Sequence, residues 1–184
     1  LGCLLFVGNT KAKESTVQNL RKYMISDEDG RELQESFVEL LSDVDLHCID
    51  LEKHQESLKD YDYGIYFWVL TLNNVRYKVY IGKTNSIVRR VKEYTIDFQI
   101  HSPNDFKMRF FQDFIAKSVS SFDLSLYFSP KTKETYTQSE TQAIRYFKPM
   151  INERSNTSSD QKASIKKAFS QYYESVFSSK LCGL

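Results

Sequence analysis

Apolar and aromatic positions crowd together at Gly64-Ile65-Tyr66-Phe67-Trp68-Val69-Leu70 and again at Tyr77-Lys78-Val79-Tyr80-Ile81-Gly82. Both are runs of β-formers, and Asn73-Asn74 between them is a turn signal, so the stretch predicts a β-hairpin. Past Gly82-Lys83-Thr84, Asn85 or Ser86 is a good N-cap for a helix running to about residue 96. Ser102-Pro103 opens another helix, with a cap followed by proline at the first helical position. The stripe of that helix, Phe106, Phe110, Phe111, Phe114 and Ile115, reads as core. A strand fits 122–128, and a last core helix starts near Thr137 and stops before Pro149.

Ahead of the hairpin the periodicity is helical. Ser15 caps a helix through about Met24. A second helix follows Gly30, with Leu33, Phe37, Leu40 and Leu41 on one stripe. A short third helix covers 51–58. After a polar loop at 156–160, the segment 161–177 is amphipathic, with Ile165, Phe169, Tyr172, Tyr173 and Val176 nearly on one side. It reads either as docking back on the domain or as a homodimer contact. The chain thus divides into an acidic helical extension (1–60), a mixed domain (61–155) and a helical C-terminal extension (156–184). Its order of hairpin, helix, helix, strand, helix predicts a small α/β (α+β) sandwich.

Composition narrows this picture. Hydrophobic residues make up 41% of the 184, enough for a core, and the 27% charged fraction is ordinary for a globular protein. No apolar run approaches the ~20 residues of a membrane span, so no membrane partner is expected. Cys3, Cys48 and Cys182 lie far apart without a Cys-x-x-Cys pair, which points to reduced thiols in a cytoplasmic protein rather than a disulfide framework or a zinc site.

The net charge of +1 hides an asymmetry. Residues 1–62 carry 7 Lys+Arg against 14 Asp+Glu, whereas residues 63–184 carry 18 against 10. A basic domain suits a polyanion such as nucleic acid. The acidic segment reads as packing support or as a surface for a protein partner that directs or restrains the rest.

One constellation in the basic part carries chemistry. Tyr66 and Tyr80 lie on adjacent strands of the hairpin and can face each other across it. Arg90 and Tyr94 are i and i+4 on the next helix and share a face, with Ile87 and Val91 anchoring that face to the sheet. Glu140 is the lone acidic residue between Glu134 and Glu153. Phosphodiester hydrolysis needs an activated water, charge stabilisation on the phosphoryl oxygens and help for the leaving oxygen. Arginine supplies a fixed fork of donors for phosphate. A carboxylate can hold one Mg²⁺ that keeps several waters. A phenol near arginine and metal can have a lowered pKa and accept a proton from water.

Gly64-Ile65-Tyr66 followed by Tyr80-Ile81-Gly82 also resembles the signature of the GIY-YIG nuclease family. Arg90 falls ten residues after Tyr80, where that family places its catalytic arginine, and Tyr94 falls four later, where members carry His or Tyr. Glu140 matches the metal-binding glutamate, and Asn152 in Pro149-Met150-Ile151-Asn152 matches an asparagine near the end of the domain. The resemblance covers 63–153. It implies a three-stranded antiparallel sheet flanked by helices and single-metal DNA cleavage leaving 5′-phosphate and 3′-hydroxyl ends, with Mg²⁺ as cofactor and Mn²⁺ as a substitute. It casts Tyr66 as general base and Tyr80 as orienting water or phosphate. Arg90 and Tyr94 hold the scissile phosphate, Glu140 ligates the metal and Asn152 braces the site. Lys83, beside Gly82, and Arg89 add phosphate or DNA contacts. Residues 71–76 make the hairpin longer than in compact members, which leaves its pairing register open.

Each residue has a blander role. Tyr66 and Tyr80 can be sheet packing, and Arg89 or Arg90 an exposed helix charge. Asn152 can be a turn residue. Thr137-x-x-Glu140 also reads as a capping box, in which the glutamate serves the helix N-terminus. The fold itself can survive as an inactive nucleic-acid-binding module.

Overall fold

The structure is a computed structural model that describes residues 21–95 and 103–152, with the side chains at 108–113, 115 and 116 in the helix spanning 103–118. The expected amphipathic helix at 161–177, most of the expected helix from Ser15, the side chains of Phe106 and Phe114, and Cys3, Cys182 and His101 lie outside the described residues.

Among the described residues nine α-helices and strands follow in order: α1 Asp27–Ser36, β1 Val38–Leu41, α2 Leu51–Leu58, β2 Gly64–Leu72, β3 Val75–Thr84, α3 Ile87–Tyr94, α4 Pro103–Ser118, β4 Asp123–Pro130 and α5 Tyr136–Phe147. The strands form one four-stranded sheet in the order β1-β4-β2-β3, antiparallel throughout. The fold class is the expected mixed α/β one, but the sheet has four strands rather than three.

The additional strand corrects the reading of residues 30–41. Ser26 caps α1 and forms a capping box with Asp29, so the helix starts ahead of Gly30; it stops at Ser36, where Phe37 is already extended. Val38–Leu41 then pairs with β4, Val38 opposite Phe128. Leu40 and Leu41 fall at helical spacing in sequence, but an unpaired edge of β4 offers a ladder of backbone bonds that local periodicity cannot register. Near the start, Arg21–Tyr23 is a 3₁₀ turn, and Met24 bridges to Tyr77. The expected helix through Met24 therefore does not extend into the described part.

The hairpin closes through Asn73 and Asn74, with φ of 48° and 64°, between the paired residues Leu72 and Val75. Two successive left-handed residues make a turn whose twist matches that of the strands, and asparagine tolerates it better than most residues.

Central β2 is covered on both faces. Tyr66, Trp68, Leu70 and Leu72 join a core with Leu51, Leu58, Ile87, Val91, Tyr94, Met108 and Phe111. Ile65, Phe67 and Val69 join a second core with Leu33, Phe37, Ile81 and Phe147. Helices α2, α3 and α4 thus lie on one side of the sheet, and α1 and α5 on the other. This is why residues 64–70 are an unbroken apolar run rather than an alternating one. Among the described residues no helix is long and apolar enough to cross a membrane.

Candidate functional site

A bulge in the hairpin sets the geometry of the site. Trp68 is opposite Tyr80 but Val69 is opposite Lys78, which leaves Val79 as the extra residue on β3. Strict alternation would place Val79 and Tyr80 on opposite faces. Instead both lie in the core that contains Tyr66, and Ile81 lies in the other. An extra residue in one strand re-aims the side chains that follow it. The two tyrosines are therefore diagonal rather than directly opposed: Tyr66 pairs with Gly82, and the rings of Tyr66 and Tyr80 stand 6.1 Å apart at 49°.

Helix α3 brings the guanidinium. Ser86 caps it by accepting from the Arg89 amide, and buried Ile87 and Val91 hold it on the sheet. Arg90 and Tyr94 then project together, as i,i+4 spacing requires. Arg90 donates from Nε to Tyr66 Oη at 3.0 Å and from Nη2 to Tyr94 Oη at 2.9 Å. The two phenol oxygens are 3.0 Å apart and hydrogen-bonded to each other. Tyr66, Arg90 and Tyr94 form a closed triangle of polar groups inside a largely apolar wall, with Tyr80 beside it.

The carboxylate arrives from the other side of the sheet. Helix α5 starts at Tyr136 after Thr135, which makes no side-chain cap. Thr137 is thus inside the helix, and the capping box with Glu140 does not form. Glu140 pairs instead with Lys83 at 3.4 Å, and Lys83 also donates to Thr137 Oγ1 at 3.2 Å. Glu140 is close enough that its charge helps to push up the pKa of both Tyr66 and Tyr80. Arg89, by contrast, is exposed and turned to Asn85, with a 2.9 Å bond to Asn85 Oδ1, and to Glu93. It lies beside the triangle rather than in it.

Two residues support the hairpin. Gly82 leaves room for the Tyr66 ring, since a β-carbon there would stand 2.3 Å from Tyr66 Oη. Asn152 accepts from the Ile81 amide and donates to the Ile81 carbonyl, both at 2.7 Å. It completes the outer edge of β3 in the way a neighbouring strand would.

The electrostatics differ from the expectation for a base. Burial pushes the Tyr66 phenol upward, more than the Arg90 charge and the bonds from Tyr94 and Arg90 pull it down. Burial likewise raises Tyr80 and Tyr94. At neutral pH all three are protonated phenols, and the lowered pKa expected for Tyr66 is not present in the protein alone. Burial works against the Arg90 charge, but the surrounding oxygens, with a 2.6 Å bond to Glu93 Oε2, keep it a guanidinium.

Two participants were not singled out from sequence. Glu93 accepts from both Arg89 and Arg90; its position three and four residues after an arginine pair is a readable signal. Buried Arg109 had none. It donates from Nε to the Tyr94 carbonyl at 3.0 Å and also to the Thr95 carbonyl, capping the end of α3. His47 lies 3.2 Å from Arg109 through Nδ1 and 2.7 Å from Asp113 through Nε2.

Among the described residues no three His, Cys, Asp or Glu side chains are grouped to share a metal ion. The donor set is one partly exposed carboxylate, Glu140, whose present partner Lys83 is on a flexible stem. That fits a hard cation completed mainly by water and substrate oxygens, as Mg²⁺ is. Comparison of the chain with protein-family models, curated proteins and solved structures finds no match.

Proposed function

We propose that this chain is a Mg²⁺-dependent DNA endonuclease of GIY-YIG type, cutting phosphodiester bonds to 5′-phosphate and 3′-hydroxyl ends. The observation that carries the reading is the Tyr66–Arg90–Tyr94 triangle with the Glu140 charge within electrostatic reach. Tyr66 and Glu140 come from elements far along the chain from the helix turn that carries Arg90 and Tyr94, and buried hydrogen-bonded charge is costly to assemble without a use. A site-specific restriction-type enzyme, or a nuclease of a phage or mobile element, suits so compact a domain; Mn²⁺ is expected to substitute.

In this reading Arg90 binds and orients the scissile phosphate through its fixed fork. Tyr94 holds Arg90 in line, and Tyr80 closes the apolar wall. Glu140 would hold the cation, which supplies charge for the phosphoryl and leaving oxygens. To act as base, Tyr66 first has to release its own phenolic proton to solvent, which burial chiefly opposes and the Glu140 charge opposes to a lesser degree. With a cation held by Glu140 that lesser part is removed, and the phenolate can then take a proton from the attacking water. Arg90 Nε already donates to the oxygen that would become anionic, and the Tyr94 hydroxyl is hydrogen-bonded to it. Lys83, released from Glu140, contributes a further phosphate contact.

The raised Tyr66 phenol and the Lys83–Glu140 pair favour one alternative, a nucleic-acid-binding module that keeps the fold without cutting. Incubation with plasmid DNA and Mg²⁺ separates the two. Wild type should nick or linearise it, EDTA should stop the reaction, and Glu140→Gln should lower the rate by at least about 100-fold. Discrete products indicate site specificity. DNA bound but left intact by wild type, over several substrates and with Mn²⁺ as well, sinks the nuclease reading.

A further inference from the structure

Arg90 does not wait with an open phosphate site. Nε is engaged by Tyr66 and Nη2 by Tyr94, and Nη1 donates to Glu93 Oε2 at 2.6 Å. The Arg90 side chain is only 12% exposed, and Glu93, on the Nη1 edge of its fork, is 27% exposed. A phosphate that takes the Nη1 edge of Arg90 has to displace this carboxylate. The other oxygen of Glu93 is bound to Arg89, which is 53% exposed.

From this arrangement we infer that Glu93 is a place-holding anion: it occupies the Nη1 edge of Arg90 until a nucleic-acid phosphate takes over, and Arg89 keeps it when it is displaced. The inference rests on the reading of Arg90 as a phosphate-binding residue. Its physical basis is the cost of a buried charge. A guanidinium this enclosed needs an anionic partner in the free protein, and a carboxylate on the same helix supplies one reversibly. Because Arg89 and Glu93 form an i,i+4 pair, the displaced carboxylate is not stranded. Exchange of one monoanion for another is nearly balanced at Arg90 itself. A polyanion gains from its other phosphates on the basic domain, whereas an isolated anion gains nothing more. Glu93 thereby sets the threshold for occupancy of the site and biases it toward nucleic acid over free phosphate.

The test is binding of the full chain to a fluorescent duplex oligonucleotide in EDTA, followed by anisotropy, so that no cleavage intervenes. Glu93→Gln keeps the shape and a neutral acceptor but removes the charge. It should tighten binding on the order of tenfold. Glu35→Gln, an equal charge change on exposed α1 across the sheet, measures the general electrostatic gain and should have a much smaller effect. In an Arg90→Gln background, Glu93→Gln should give no more than that general gain. Glu93→Ala is the second variant, with thermal melts confirming that each is folded. Equal tightening by Glu93→Gln and Glu35→Gln, or a full gain that persists without Arg90, overturns the place-holder and leaves the nuclease reading standing. Failure of every variant to bind any duplex overturns both.

Discussion

Tyr66 and Gly82 face each other across the hairpin so closely that the tyrosine ring occupies the space of the missing side chain. A β-carbon on Gly82 would stand 2.3 Å from Tyr66 Oη and 2.4 Å from its Cζ, both nearer than unbonded atoms approach. The ring is itself fixed at its far end by Arg90 and Tyr94.

Gly82→Ala is therefore expected to displace the Tyr66 ring and break the triangle. Overpacking of this kind costs about 1–3 kcal/mol. The domain should stay folded with a lowered melting temperature, while cleavage falls far more than that loss of stability explains. A variant that melts earlier but cuts plasmid at the wild-type rate would show that the ring position is unimportant for catalysis.

Arg109 gives a separate test, because it reaches the site only through the backbone. By holding the Tyr94 and Thr95 carbonyls, it fixes the end of the helix that carries Tyr94, and a cation there also complements the helix dipole. Arg109→Gln should cost about 2–4 kcal/mol of stability. Among molecules that remain folded it should lower kcat with little change in KM. His47→Gln preserves one acceptor for Arg109 and one donor for Asp113, so it should restore most of what His47→Ala loses. A stability loss with unchanged kcat reduces Arg109 to packing.

Acid sensitivity should trace partly to Asp29. Burial alone would raise its pKa, but bonds from Lys78 at 2.8 Å and from the Ser26 amide outweigh it, and the carboxyl lies below its ordinary 3.8. A folded-state value below the unfolded one means that the contribution is fully present above about pH 4. It is lost as pH falls through the lower, folded value. Asp29→Asn should lower stability at pH 7 by roughly 1–3 kcal/mol and flatten the decline of melting temperature below pH 4. Parallel wild-type and variant curves over that range would rule Asp29 out as a source of the acid response.

Local chemistry made much of the fold legible. Dense β-formers around Asn73-Asn74 announce the hairpin, and Ser86 announces α3, because turn and cap preferences act within a few residues. Residues 38–41 look helical in sequence because a four-residue strand draws its stability from β4, some 85 residues onward, while its own periodicity is that of a helix. Glu140 was ambiguous for a related reason. Its spacing from Thr137 suits a cap, and only the actual helix start, with Thr135 two residues earlier at the N-cap position, removes that role.

The candidate site divides in the same way. Sequence by itself determined which groups are available: two phenols on a hairpin, an arginine and a phenol one helical turn apart, a lone carboxylate, and an asparagine near the end of the domain. Tertiary structure alone decided that a bulge at Val79 turns Tyr80 toward Tyr66, that Arg109 and His47 lock the end of α3, and that burial keeps Tyr66 protonated. Each of these depends on distances between segments far apart in the chain and on exclusion of water, and neither is a property of local residue order.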